Sequence, residues 1–390
     1  MKIEAASMAA GAQNYGFIDV LRGVAAGLVI VFHAMHVGGR TDFPADGIWR
    51  FFDYGWVGVN IFLLISGLVI TLSVFRHIDR QPQAFRWPFA LARLARIVPL
   101  YLLTGVVFLV VVRPPWLGGP LAELLVQVGS HLAFVHNLQP HTHGSIDGPN
   151  WSIALEMQFY LLMVLIAPWL AWRAGAIHLA GALLLAVLFR YATTQLAPAN
   201  DTFTQFIYAT QLPGVIDHFA LGMALAFALS PAHRSALGRL RAGWLAFASW
   251  SALSAAVLAF AAFLLVRFGY WENAWMVTFI PSVLAAGFMA LLAAAIAFPL
   301  GDQPAFRPLR YLGEISYGLY LWHMPVILFT RLYAPGLRGM PFLAAVFGLT
   351  LLLAAISWHL FERPLSQDLR RRVAQAGRRG KMQLASPQSP

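Results

Sequence analysis

Long apolar runs set the pattern of the chain. Ten stretches, at 17–37, 55–75, 97–113, 151–172, 175–192, 211–229, 243–266, 275–298, 311–332 and 341–361, are apolar over about the length a helix needs to cross a bilayer. Only helices and closed barrels satisfy their backbone inside lipid, and uninterrupted runs of this length indicate helices. The pattern therefore predicts an all-α, polytopic membrane bundle of about ten spans. The stretch 121–138 does not fit, because it carries Glu123, Gln127, His131, His136 and Asn137 among its apolar residues. It is expected to be re-entrant or packed at the outer face, where protein or a water-filled cavity covers its polar groups.

Charge orients the bundle. The N-terminus, Arg22, Arg173, the loops 76–96, 230–242 and 299–310, and the segment 362–390 hold 20 of the 27 Lys and Arg residues. The other seven, Arg40, Arg50, Arg113, Arg190, Arg267, Arg331 and Arg338, fall on the opposite side. The positive-inside rule then makes both termini cytoplasmic, which an even number of spans allows. Three parts are expected: a cytoplasmic segment 1–16, a membrane domain 17–362, and a basic, disordered tail 363–390 lying near anionic lipid. The run after residue 16 suits a retained span better than a cleaved signal.

Composition narrows the function. With 59% hydrophobic and 11% charged residues, the chain is no soluble globular enzyme. Its net charge of +11 reflects membrane topology, with no nucleic-acid partner expected. The absence of cysteine excludes disulfides, a cysteinyl nucleophile and iron–sulfur clusters. The histidines of His136, His141 and His143 lack a metal-ligand spacing, so no metal is expected.

Polar residues inside apolar runs are costly and mark function. In the first run Arg22 and His33 are eleven residues apart, which returns the helix to one face after a rise of about 16 Å. Asp19 is placed to pair with Arg22. The fourth run opens on Trp151, Ser152 and Glu156, the last two on one face with Tyr160 a turn on. Ser316, Tyr320 and His323 form a stripe in the ninth run, beside Glu314 and Tyr317. Arg93 and Arg96, one helical turn apart, are placed to grip phosphate or simply to anchor the span. Asp217 and His218 make a weaker pair.

These residues come in an ordered series. Arg22-Gly-(nine residues)-His33, GWVGVNIFLLISG over 55–67, RLARIVPLY over 93–101, NWSIALEMQFY over 150–160 and LGEISYGLYLWH over 312–323 together resemble the acyltransferase-3 family of bacterial integral membrane O-acyltransferases. The resemblance implies a multi-pass protein of the bacterial cytoplasmic membrane. It implies transfer of an acyl group, commonly acetyl, from cytoplasmic acyl-CoA to a hydroxyl of a carbohydrate or glycoconjugate, with no tightly bound cofactor. It places the family's signature residues on Arg22 and His33, Arg93 and Arg96, Trp151, Ser152 and Glu156, and Tyr317 and His323. Asn60 stands where relatives often have Asp. The sequence carries no extracytoplasmic hydrolase-like domain, so any second transfer is expected to need a separate partner.

On this reading Arg22, Arg93 and Arg96 bind the donor, and His33 acts as general base. Glu156 orients an imidazole, and Tyr317 or His323 stabilises the oxyanion. Trp151, Ser152, Asn60 and Ser316 line the substrate site. Direct transfer and an acyl-enzyme on His or Ser both remain open. The competing class is a transporter or channel using the same intramembrane Arg, His and Glu as a proton or substrate pathway.

Overall fold

The computed structural model describes residues 16–80, 85–173, 175–198, 201–229, 243–298, 303–365 and 367–368. The expected cytoplasmic segment 1–16, most of the tail 363–390, and Arg234, Arg239 and Arg241 lie outside the described residues. Among those described the regular structure is helical, as the apolar pattern requires. The long helices are α1 (Gly16–Gly38), α2 (Val57–Arg80), α3 (Arg86–Val107), α5 (Trp151–Arg173), α6 (Ala176–Leu196), α7 (Leu212–Leu229), α8 (Trp244–Phe268), α9 (Ala274–Ala297), α11 (Ser316–Tyr333) and α12 (Gly339–Ser357), with α4 (Leu121–Leu132) and α10 (Arg307–Glu314) between them.

Nine described helices are long and apolar enough to span a membrane. The remaining expected run, 311–332, is interrupted at the buried Ile315, so α10 and α11 are separate helices. Most of α11 is buried, His323, Tyr320 and Ser316 included. A helix enclosed by protein needs less apolar surface than one facing lipid, which explains its weaker hydropathy. The helix α3 starts at Arg86 rather than at 97, so Arg93 and Arg96 lie within it. The 12-residue α4 rises only about 18 Å, short of a hydrocarbon core of about 30 Å. It ends at Leu132, and the chain turns at Phe134, whose φ is 55°, into a short helix at His136–Leu138. No helix within 121–138 is long enough to cross.

Two packed cores share α1, α2 and α7. One joins them to α3, α5, α11 and α12, and the other to α8 and α9. The close crossing of α2 and α7 depends on glycine from both sides. A Cβ on Gly222 of α7 would stand 2.1 Å from the Leu64 carbonyl oxygen, and one on Gly67 of α2 would stand 2.2 Å from that of Phe219. Helices in lipid gain stability from such backbone approach, since no hydrophobic effect drives them together. Replacing Gly222 by Ala should therefore push α7 off α2 and cost about 1–3 kcal/mol. The check is a lower melting temperature of the purified protein in detergent, whereas an unchanged value would show that the crossing adjusts freely.

Candidate active site

Among the described residues, two cavities with polar side chains in their walls lie in the bundle, and α1 connects them. The smaller, about 90 Å³, is lined by Arg22, Arg93, Arg96, Glu156, Tyr160 and Tyr317, with Ser66, Ser152 and Ser316. The larger, about 420 Å³, is lined by His33, Asn60, Trp151, His143 and His218 within an aromatic wall that includes Trp56, Phe206 and Trp271. Val59, Leu63 and Tyr320 line both and form the partition between them. The helical stripe of Arg22 and His33 thus places one residue in each cavity.

At the arginine end, Arg22 faces Asp19 at 3.8 Å. Arg93 donates through Nη2 to Ser73 Oγ at 2.9 Å and lies over the rings of Phe89 and Tyr160. Its Nε is buried and has no partner among the described residues. The Glu156 carboxylate accepts from Ser66 Oγ at 3.1 Å and from the Tyr160 hydroxyl. The expected contact of Glu156 with an imidazole is replaced by these two hydroxyls, because a partition separates Glu156 from His33. Tyr317 lines the arginine cavity and donates its hydroxyl proton to the Ile97 carbonyl at 2.7 Å, away from His33. The Ser316 hydroxyl is buried there without a partner among the described residues.

At the histidine end, hydrogen bonds fix the tautomers. A carbonyl can only accept, so the contact of His323 Nδ1 with Tyr320 O at 2.5 Å puts a proton on Nδ1 and leaves Nε2 an acceptor. His33 Nδ1 lies 3.0 Å from Val29 O and 3.3 Å from His323 Nε2, so it too carries its proton. The remaining lone pair of His33 is on Nε2, in a residue that lines the large cavity. His323 is fully buried and orients His33 from behind. Ser152 Oγ lies 2.7 Å from the Tyr320 hydroxyl, which donates to Pro149 O at 2.9 Å. Ser152 Oγ also reaches Pro149 O at 3.3 Å, so either hydroxyl of the pair can donate to the other.

The sequence reading passed over Ser66 and the position of Tyr320 in the partition. Arg190, expected on the side of the membrane opposite the Arg-rich loops, is buried within the bundle and lines the cavity that holds His33. Arg190 is 1% exposed and donates to Asp217 Oδ2 at 3.0 Å, Thr278 O at 2.9 Å and Ser282 Oγ at 2.6 Å. The burial has a partner-based cause, since an unpaired guanidinium there would be prohibitive.

The loop before α5 closes the large cavity. Burial lowers the His143 imidazole to about 4 and His136 to about 3, so both are neutral at physiological pH. The Asp147 carboxyl, buried with neither oxygen partnered among the described residues, is pushed well above the usual carboxylate range by desolvation. The native state therefore holds this proton at pH values where the unfolded chain, with its model value of 3.8, has lost it. Stability drawn from this group falls as pH rises above that value. Asp147 has φ of 58°, a conformation Asn tolerates well. Asp147→Asn should raise the melting temperature at pH 7.5, with the gain shrinking toward pH 4. A gain that is equal at both pH values would show that ionisation plays no part.

Comparison with known proteins identifies the family. The sequence profile of a family described as "Acyltransferase domain" matches residues 15–359. The chain is 30% identical over 369 residues to nodulation protein 10 of Rhizobium leguminosarum bv. viciae, covering 89% of this chain and 92% of that one. It is 26% identical over 382 residues to the peptidoglycan O-acetyltransferase OatA of Listeria monocytogenes, covering 90% and 56%. With the O-acetyltransferase OatA of Staphylococcus aureus it shares 25% over 335 residues, covering 80% and 52%. The chain thus spans about half the length of these two O-acetyltransferases. No solved structure matches it significantly.

Proposed function

This chain belongs to the acyltransferase-3 family, and from that premise we propose that it carries an acyl group, acetyl by preference, from cytoplasmic acyl-CoA to a hydroxyl of a carbohydrate or glycoconjugate. It is a multi-pass bacterial membrane protein and an acyltransferase. The observation that carries the donor and acceptor assignments is the pair of cavities on either side of Val59, Leu63 and Tyr320. One offers fixed cations at the arginine-rich end, and the other offers an imidazole acceptor among aromatic rings.

Acyl-CoA is anionic and stays at the membrane surface. Its phosphates rest on Arg22, Arg93 and Arg96, where the unpartnered Arg93 Nε offers a further donor. The pantetheine arm follows α1 and brings the thioester to the partition, a distance comparable to the helical rise of about 16 Å. The acceptor ring lies against the aromatic wall of the large cavity, since sugar faces pack well on indole and phenyl rings. Its hydroxyl gives its proton to His33 Nε2 while its oxygen attacks the thioester carbon. The C–S bond then breaks, and the departing thiolate takes the proton from the imidazolium. His323 keeps the His33 ring in the tautomer this step needs. Glu156, with Ser66 and Tyr160, offsets the arginine charge when the donor is absent.

The test is turnover of radiolabelled acetyl-CoA by the purified protein in lipid nanodiscs. Free CoA should appear, and its release should rise when a soluble glycan is added and becomes labelled. Absence of CoA release and of label under all donors would overturn the proposal.

A further inference from the structure

The large cavity contains a second oriented imidazole that the transfer step does not use. Asp217 of α7 accepts four hydrogen bonds. Oδ1 takes the His218 backbone N–H at 2.9 Å and His218 Nδ1 at 2.7 Å. Oδ2 takes Arg190 Nη1 at 3.0 Å and Ser282 Oγ at 2.6 Å. Arg190 spends Nε, Nη1 and Nη2 on this network, which ties α6 to α7 and α9. A carboxylate can only accept, so His218 Nδ1 carries a proton and the ring is fixed with Nε2 turned away from Asp217. That Nε2 is buried without a partner among the described residues, in a side chain 1% exposed, and His218 lines the cavity that holds His33.

A network serving the fold alone has no use for an unpaired last atom, because a buried polar atom left unsatisfied is costly. Here Arg190, Ser282 and Asp217 are bonded to one another, and the single unfilled position is the imidazole nitrogen in the cavity-lining residue. Three imidazoles line this cavity: His33 removes the proton, His143 has neither ring nitrogen partnered among the described residues, and His218, fixed by Asp217, is left to hold a second hydroxyl. We propose that His218, held by Asp217 and Arg190, forms a hydrogen bond through Nε2 with a second hydroxyl of the acceptor and so selects polyhydroxylated rings and fixes which hydroxyl meets His33. The inference rests on the acyl-transfer reading above. It adds that the acceptor is recognised through at least two hydroxyls, with His218 a specificity-determining residue and Asp217 a positioning residue.

Ring alcohols test this without knowledge of the natural acceptor. Cyclohexanol presents one hydroxyl, and the 1,2-, 1,3- and 1,4-cyclohexanediols present a second at increasing separations. With the protein in nanodiscs and labelled acetyl-CoA, at least one diol should be acylated with a kcat/KM about tenfold above cyclohexanol, the worth of one buried hydrogen bond. His218→Phe should erase that preference and leave cyclohexanol within about twofold of the normal rate, which also reports an intact fold. His218→Gln, whose side-chain amide can hydrogen-bond near the same position, should restore part of the preference. Equal use of all four alcohols by the normal protein, or a diol preference that survives His218→Phe, would overturn the inference while leaving acyl transfer standing. Loss of cyclohexanol turnover in both variants would also overturn it, because His218 would then serve the transfer step or the fold. Failure of the normal protein to turn over acetyl-CoA with any alcohol would instead defeat the acyl-transfer reading, and this inference with it.

Discussion

Replacing His33 by Ala should lower acyl transfer by about 10²–10⁴-fold, the usual contribution of a positioned base. The geometry behind this is specific. The Nδ1 proton of His33 is held between Val29 O and His323, and the lone pair on Nε2 remains for the acceptor hydroxyl. Donor binding should change little, because Arg22 stands about 16 Å lower on the same helix. His323→Ala should cost less than His33→Ala, since it removes the orienting group and leaves the base. Its effect should fall on kcat rather than on acyl-CoA affinity. Rates measured beside thermal melting of each variant separate chemistry from folding. A well-folded His33→Ala protein that transfers within threefold of normal would remove His33 from the mechanism.

The second large effect belongs to the arginine cavity. Arg93→Ala combined with Arg96→Ala should weaken acyl-CoA binding by about a hundredfold, given the strength of hydrogen bonds from charged groups. Binding by the unaltered protein should weaken with added salt, because the contact is charge on phosphate. Lysines at both positions should recover only part of the affinity, having lost the two-pronged geometry of guanidinium. Calorimetric titration with a non-hydrolysable acyl-CoA reads all three. Unchanged affinity in the double alanine protein would return both residues to membrane anchoring.

The helices and the polar stripes were legible in the sequence because each rests on local periodicity. Eleven-residue spacing put Arg22 and His33 on one face, and the structure keeps both on the interior of α1. Polar interruptions in 121–138 marked it as unable to span, and α4 is too short to do so. What periodicity cannot carry is the meeting of helices distant in the chain. His33 finds His323 across 290 residues, and nothing in either local segment names the other. The same limit set Glu156 beside an imidazole in expectation, when α2 and α5 instead give it Ser66 and Tyr160. The ion pair of Arg190 was hidden likewise, because its partner Asp217 is 27 residues away on another helix. The break at Ile315 was hidden for a related reason. It lets α10 pack against α1, where a Cβ on Gly313 would fall 1.8 Å from the Asp19 carbonyl oxygen. Only the assembled bundle makes that approach visible.

The central claim is that donor and acceptor reach one bond-forming point from opposite faces of the membrane. Reconstitution in vesicles with a single orientation tests it directly. Labelled acetyl-CoA is supplied only at the arginine end, and a membrane-impermeant glycan only at the histidine end. Label should appear on the glycan without mixing of the two compartments, and His33→Ala should abolish it. Transfer that occurs only when both substrates are on the same face would contradict the account.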